Sequence, residues 1–217
     1  MYKLHLTVGA ALVGAFLGAQ SCNAAVVLYD NFDSATQTLN WAGDSVFTSI
    51  PAPGNVGGLP SVDLIGTGFF DFYPGNGNYV DLDGSTGGGI SPAGQLDSIA
   101  TFSPGTYTLS FLLGGNARGA ATKTTAISLG DFAVSIALAS GDPLQLFTYT
   151  FLTTTSGVLS FLELGPSDQQ GNVLDEVSLS TVPLPASWTL MLLGLVGGFA
   201  FFQWKARKGG GSSFAAA

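Results

Sequence analysis

The side chains able to do chemistry in this chain are almost all carboxylates. The only histidine, His5, and the only cysteine, Cys22, lie within the first 24 residues. The remainder therefore has no disulfide, no thiolate nucleophile, no Ser-His-Asp triad and no His- or Cys-ligated zinc. What is left is oxygen chemistry: ligation of hard cations, hydrogen bonding to hydroxyl-rich ligands, or hydrolysis by paired carboxylates. Asp175 is the most informative acid. Along Val173–Leu179 it alternates in phase with Val173, Val177 and Leu179, which places it on the core face of a strand. A buried carboxylate is costly unless it is paired or ligates a metal. No basic residue lies near it in sequence, so calcium is its natural neutraliser. The alternative is an aspartate that accepts backbone and hydroxyl hydrogen bonds at a strand edge.

A second cluster is aromatic. Phe69, Phe70, Phe72, Tyr73 and Tyr79 surround Asp71, Asn76 and Asn78, and Trp41 is a further candidate. Flat rings beside amides and carboxylates are what sugar stacking requires: C–H faces lie on the ring and hydroxyls meet the polar groups. The competing reading is that these rings plug the core. Asp81-Leu82-Asp83-Gly84 places two carboxylates on one strand face, suited to a cation or to sugar hydroxyls, or simply to an Asp-Gly turn. Glu163, Asp175 and Glu176 are the only acids of the last two strands. Nothing in their spacing brings two to working distance for glycoside hydrolysis, so a non-enzyme is expected.

The elements that must position these residues follow from composition and period. Between Asp30 and Glu176, Arg118 and Lys123 alone offset 14 acids, which leaves a net charge of −12. That disfavours nucleic acid and anionic membrane surfaces as partners and allows divalent cations. The same region is rich in Gly, Ser and Thr but also in Phe, Leu, Val and Ile, which argues for short strands and many turns rather than disorder. Alternation is clear over Asn78–Asp83, Thr106–Leu113 and Val173–Thr181. Gly130-Asp131 and Gly141-Asp142-Pro143 divide further strands between Lys123 and Thr153. Nearly a dozen strands and no amphipathic helix before Pro183 predict an all-β fold, an antiparallel β-sandwich of jelly-roll type over residues 25–181.

The two ends read differently. Lys3, the apolar run from Leu6 to Ala19 and small residues up to Ala24 form a secretory signal over 1–24, cut after Ala24. At the other end, Val182-Pro183-Leu184-Pro185-Ala186 precedes an apolar run from Ser187 to Trp204 and then Lys205, Arg207 and Lys208. Eighteen helical residues span about 27 Å, close to the hydrocarbon thickness of a bilayer. Trp188 and Trp204 mark its interfaces and the cations its cytoplasmic side, so a C-terminal transmembrane helix is expected. Residues 209–217 read as a flexible tail.

Residues 182–208 resemble a PEP-CTERM sorting signal, with Leu184 where that family commonly has Glu. The resemblance implies an exosortase as processing partner. It also implies export, anchoring in the inner membrane by the C-terminal helix, and a final place in the cell envelope or biofilm matrix. In the body, Tyr79–Gly84, Phe102–Phe111 and Leu174–Leu179, in that order, are similar to the galactose-binding-like jelly rolls of exported PEP-CTERM proteins and carbohydrate-binding modules. That resemblance implies a domain facing exopolysaccharide or another glycan, and a structural calcium shared by Asp30, Asn31 and Asp33 with Asp175. Two other functions stay open: a structural or adhesive surface protein without a small-ligand site, and a glycan-active hydrolase.

Overall fold

Among the described residues eleven strands arise where β-branched and aromatic residues alternate with Ser and Thr, and Gly, Pro, Asn and Asp break the runs. The computed structural model describes residues 24–51, 58–85 and 93–183, together with Met191 and Leu195. The described residues between 24 and 183 are all strand, turn and loop. The strands are β1 (Val26–Asp30), β2 (Phe47–Ile50), β3 (Asp63–Gly66), β4 (Asn78–Asp81), β5 (Gly94–Phe102), β6 (Gly105–Gly114), β7 (Lys123–Leu129), β8 (Phe132–Leu138), β9 (Gln145–Thr153), β10 (Gly157–Leu164) and β11 (Val173–Thr181).

They form two antiparallel sheets. One runs β3-β4-β11-β6-β9, with β1 also on β11; the other runs β2-β5-β10-β7-β8. The expected sandwich is present, with its first and last strands paired: Asp30 lies opposite Val177 and Tyr29 opposite Ser178. β4 stops at Asp81, so Asp83 lies in the following bend rather than on the strand.

The core between the sheets is aromatic at its centre. Phe32, Phe47, Phe111 and Phe161 are fully buried and meet ring to ring, from Phe32–Phe47 at 5.8 Å to Phe111–Phe161 at 5.3 Å. A smaller cluster of Ile65, Tyr79 and Val173 is covered by Phe69, Phe72, Tyr73 and Leu144. Leu64, Val80 and Leu174 belong to the main core, whereas their chain neighbours Ile65, Tyr79 and Val173 belong to the smaller cluster. By strand alternation that second cluster lies on the outer face of the sheet.

β11 departs from the alternation read in its sequence. Leu174 is in the main core, and so are Val177 and Leu179. The change of phase is made at a bulge between Asp175 and Ser178, where Glu176 has φ +51°. The single inward face Val173-Asp175-Val177-Leu179 is thus split in two. Asp175 is still buried, at 2% exposure, but it sits beside the bulge.

The expected secretory signal (1–24) apart from Ala24, the expected motif from Leu184 through Pro185 to Ala186, the expected transmembrane span to Trp204 apart from Met191 and Leu195, the basic residues Lys205, Arg207 and Lys208, and the expected tail (209–217) lie outside the described residues. Val182 closes the domain by donating its N–H to the Thr106 carbonyl at 2.8 Å. Among the described residues no helix is long and apolar enough to cross a membrane.

Candidate functional site

The aromatic loop between β3 and β4 is built around Tyr79. This ring is fully buried, and its hydroxyl accepts the backbone N–H groups of Phe72 (2.5 Å) and Tyr73 (3.0 Å). The same hydroxyl lies 3.2 Å from Asp71 Oδ1, to which it can donate. Tyr73 is a second peg: its hydroxyl reaches the carbonyls of Gly115 (2.5 Å) and Asp142 (3.0 Å), and its ring meets Tyr79 edge-on. Asn76 is exposed and donates to the Tyr73 carbonyl at 2.9 Å. Trp41 is 4% exposed and packs edge-on against Phe32 in the main core. Of the candidate rings, Trp41 is therefore buried in the main core, Tyr79 is buried beneath the loop on the outer face of the sheet, and Tyr73 is half-buried. Phe70, 54% exposed and at φ +55°, presents its ring to solvent.

Phe70 borders a cleft of about 150 Å³ on the outer side of β3–β4. Asp63 and Asp81 line it from those two strands, Phe72 and Leu39 from the loops, and Ser85, Arg118 and Gln169 close it. Arg118 organises the polar side. Its guanidinium pairs with Asp81, donates to the Gln169 carbonyl at 2.7 Å and lies 4.7 Å from the Phe72 ring centre. Asp81 accepts the N–H groups of Asp83 (3.0 Å) and Gly171 (2.9 Å) through its other oxygen. Burial pushes its carboxyl up from the ordinary value, and Arg118 offsets part of that. Asp63 accepts from Asn40 N (2.6 Å) and from the Ser85 hydroxyl (2.6 Å), which holds the floor rigid.

Asp83 belongs to a separate interior cluster. It accepts from the Ser167 hydroxyl (2.5 Å) and faces Lys123 Nζ at 3.5 Å, while Lys123 also bonds Asp168 at 2.7 Å. The two cations of the body are thus both spent on Asp81, Asp83 and Asp168. Nearby, fully buried Glu163 accepts from Thr125 (2.8 Å), and Thr125 accepts from Asn172 (3.0 Å). Burial pushes Glu163 up to about 7.

The calcium candidates lie at the β1–β11 end. Asp30 Oδ1 accepts Phe32 N–H at 2.8 Å, and its Oδ2 is buried without a hydrogen-bond partner. Burial, then the neighbouring Asp44 carboxyl, pushes Asp30 up to about 7. Asp175 accepts the Glu176 N–H at 2.7 Å; burial first, then the carboxylates of Glu176, Asp33 and Asp30, push it to about 7. Asn31 and Asp33 are tied together at 2.8 Å, and Asp33 also accepts Asn78 N–H at 2.8 Å across Gly77. A Cβ on Gly77 would lie 2.0 Å from that Asp33 oxygen, so this approach needs glycine.

Asp30, Asp33 and Asp175 therefore share one field of uncompensated negative charge, and Asp30 keeps an orphan oxygen. These two features suit a hard cation. Among the described residues no group of three or more His, Cys, Asp or Glu side chains is gathered for a metal, so such an ion would lean on Asn31 or backbone oxygens as well. The sequence reading missed Asp44, which accepts from Val46 (2.7 Å) and Phe47 (2.9 Å) beside Asp30. It also missed Asp63, Arg118 and Gln169. A body with only two cations and 14 acids was the available signal that each cation would take a buried acid.

No protein-family profile matches the chain, and no curated protein does. Solved structures do. One cleaved adhesin domain of Lys-gingipain from Porphyromonas gingivalis aligns with TM-score 0.51 and 13% identity, over 74% of this chain and 99% of that domain. A second adhesin domain of the same protein aligns with TM-score 0.49 and 16% identity, over 74% of this chain and all of that domain. A xylan-binding domain from Paenibacillus barcinonensis gives 0.46 and 13%, over 75% of this chain and 97% of that domain. The likeness above 0.5 is one of fold, a β-sandwich shared by this chain and that domain.

Proposed function

We propose that this chain is an exported, membrane-anchored envelope or biofilm-matrix protein whose β-sandwich binds carbohydrate, without catalysis, at the Phe70 cleft. The observation that carries this reading is the exposed Phe70 ring beside a rigid polar floor of Asp63, Asp81 and Arg118. A pyranose laid on Phe70 would bury its C–H face there and turn hydroxyls toward oxygen acceptors and the Arg118 fork. The adhesin and xylan-binding modules that share the architecture are consistent with this use. The PEP-CTERM-like segment Val182–Lys208 supports anchoring and exosortase processing. Screening the chain on a polysaccharide panel tests the proposal, with hydrolysis products assayed in the same wells. Binding that disappears with Phe70→Ala supports the cleft; release of reducing sugar would favour the hydrolase.

Calcium is proposed as a structural ion at the β1–β11 end, held by Asp30 and Asp175 with Asn31 and Asp33. An ion bound only to the folded chain adds about 2.7 kcal/mol of stability at a free concentration about 100-fold above its Kd. Chelation is therefore expected to lower the melting temperature, and Asp175→Ala to abolish the difference between chelated and calcium-loaded protein. Equal melting of the native chain with and without chelator would remove calcium from the account.

A further inference from the structure

The free edge of β9 carries a feature that the cleft does not use. Among the described residues β9 pairs with β6 alone, so one side of this nine-residue strand offers unpaired N–H and C=O groups. Edge strands are ordinarily protected by charge, proline or a bulge. Gln145–Thr153 (QLFTYTFLT) has no charged residue, no proline and no glycine. Its outward side chains are uncovered: Leu146 is 66% and Leu152 65% exposed, and Thr148 and Thr150 are exposed between them. Its inward rings Phe147, Tyr149 and Phe151 are only half-buried, although they stack on Phe111 and Phe132.

The order of these residues says what would cover the edge. Leu146 to Leu152 reads Leu-Phe-Thr-Tyr-Thr-Phe-Leu, the same in both directions about Tyr149. A two-fold interface needs a surface complementary to itself. An antiparallel strand paired with its own copy about Tyr149 meets that need at every position. Leu146 then faces Leu152 of the second copy, Phe147 faces Phe151, Thr148 faces Thr150, and Tyr149 faces Tyr149. Thr–Thr and aromatic pairs are favourable cross-strand partners, and no like charges meet. On the outward face both leucines of each copy gain an apolar partner. The other long free edge, β8, turns only Ala133, Ser135 and Ala137 outward and gains nothing comparable.

We propose that β9 is a homodimerisation strand: two copies join edge to edge about Tyr149, which makes one continuous sheet through both sandwiches. Two cleft-bearing domains on one dimer would engage a polymeric ligand together, and bivalence multiplies weak single-site affinity.

The register gives a specific test on the full chain in mild detergent, by sedimentation velocity across micromolar concentrations. The native chain should dimerise. Thr148→Lys with Thr150→Lys places like charges directly opposite each other twice, and Thr148→Glu with Thr150→Glu does the same with the other sign. Each double variant should raise the dimer Kd by at least about tenfold. Mixed in equal amounts they should form a heterodimer, because each lysine then faces a glutamate. Circular dichroism melts of each variant alone check that the exposed substitutions leave the fold intact. A monomeric native chain overturns the proposal. So does a dimer that tolerates both charge variants, or one that breaks with Ser135→Lys on β8 instead.

Discussion

Arg118→Ala is expected to cost about 3 kcal/mol of stability, at the low end of the penalty for breaking a buried ion pair because Arg118 itself is partly exposed. Its partner Asp81 has a side chain only 2% exposed, and burial pushes its carboxyl up to about 8 even beside Arg118, so melts run above pH 8 compare a buried carboxylate with and without its cation. The cation–π contact with Phe72 and the bond to the Gln169 carbonyl are lost with it. For a domain of this size, 1 kcal/mol corresponds to about 2–4 °C, so the melting temperature should fall by about 10 °C. Asp81→Asn in the same background should restore part of the loss. The amide oxygen can still accept from Asp83 and Gly171, while the uncompensated charge is gone. Equal melting of Arg118→Ala and the native chain would mean that the pair is not what closes the cleft.

The second large effect is a dependence on pH. Glu163 is fully buried, and its Oε1 and the Oδ1 of Asn172 are both without a hydrogen-bond partner. A proton on Oε1 relieves the cost of charge there and supplies a donor. Burial raises the group; Thr125 and Lys123 lower it and Asp83 raises it further, with the result near 7 against an ordinary 4.5. The folded chain therefore binds this proton more tightly than the unfolded chain. Stability from this group is complete below about 4.5 and is lost as pH rises to about 7, a fall of about 3 kcal/mol. Asp81, near 8, and Asp30 and Asp175, near 7, are raised first by burial as well and add slopes of the same sign, which the comparison with Glu163→Gln cancels. Glu163→Gln keeps the shape and removes the titration. Urea unfolding of both chains from pH 4.5 to 8 should give curves that diverge in favour of the glutamine as pH rises. Parallel curves would place the Glu163 pKa at its unfolded value.

Much of the sandwich was legible in the sequence because its signal is local. The alternation in Thr106–Leu113 predicts β6, and Gly-Asp pairs mark the ends of β7 and β8. β5 begins earlier than its apolar run suggests, at Gly94, where no Cβ is tolerated: one there would lie 2.1 Å from the Leu82 carbonyl oxygen. The phase change in β11 was not legible. It depends on Glu176 adopting a left-handed backbone that nothing in its neighbours dictates. The aromatic loop was recognisable by composition, but composition does not tell a peg from a platform. Tyr79 and Tyr73 spend their hydroxyls on the loop's own backbone and neighbouring carbonyls, whereas Phe70, with no polar atom to anchor, is turned outward. The cleft joins residues far apart in the chain, Asp63, Arg118 and Gln169, and long-range pairing of this kind leaves no periodic trace.

The central claim is that the Phe70 cleft binds carbohydrate. The most direct measurement is titration calorimetry of a panel-selected oligosaccharide into the native chain and into Phe70→Ala, beside melting curves for both. A solvent-facing ring contributes little to the core, so the melting temperature should stay within a degree or two of native while the loss of stacking, about 0.5–1.5 kcal/mol, weakens binding by up to about tenfold. Binding that survives Phe70→Ala unchanged, in a protein that melts normally, would contradict the claim and move the ligand elsewhere on the sandwich.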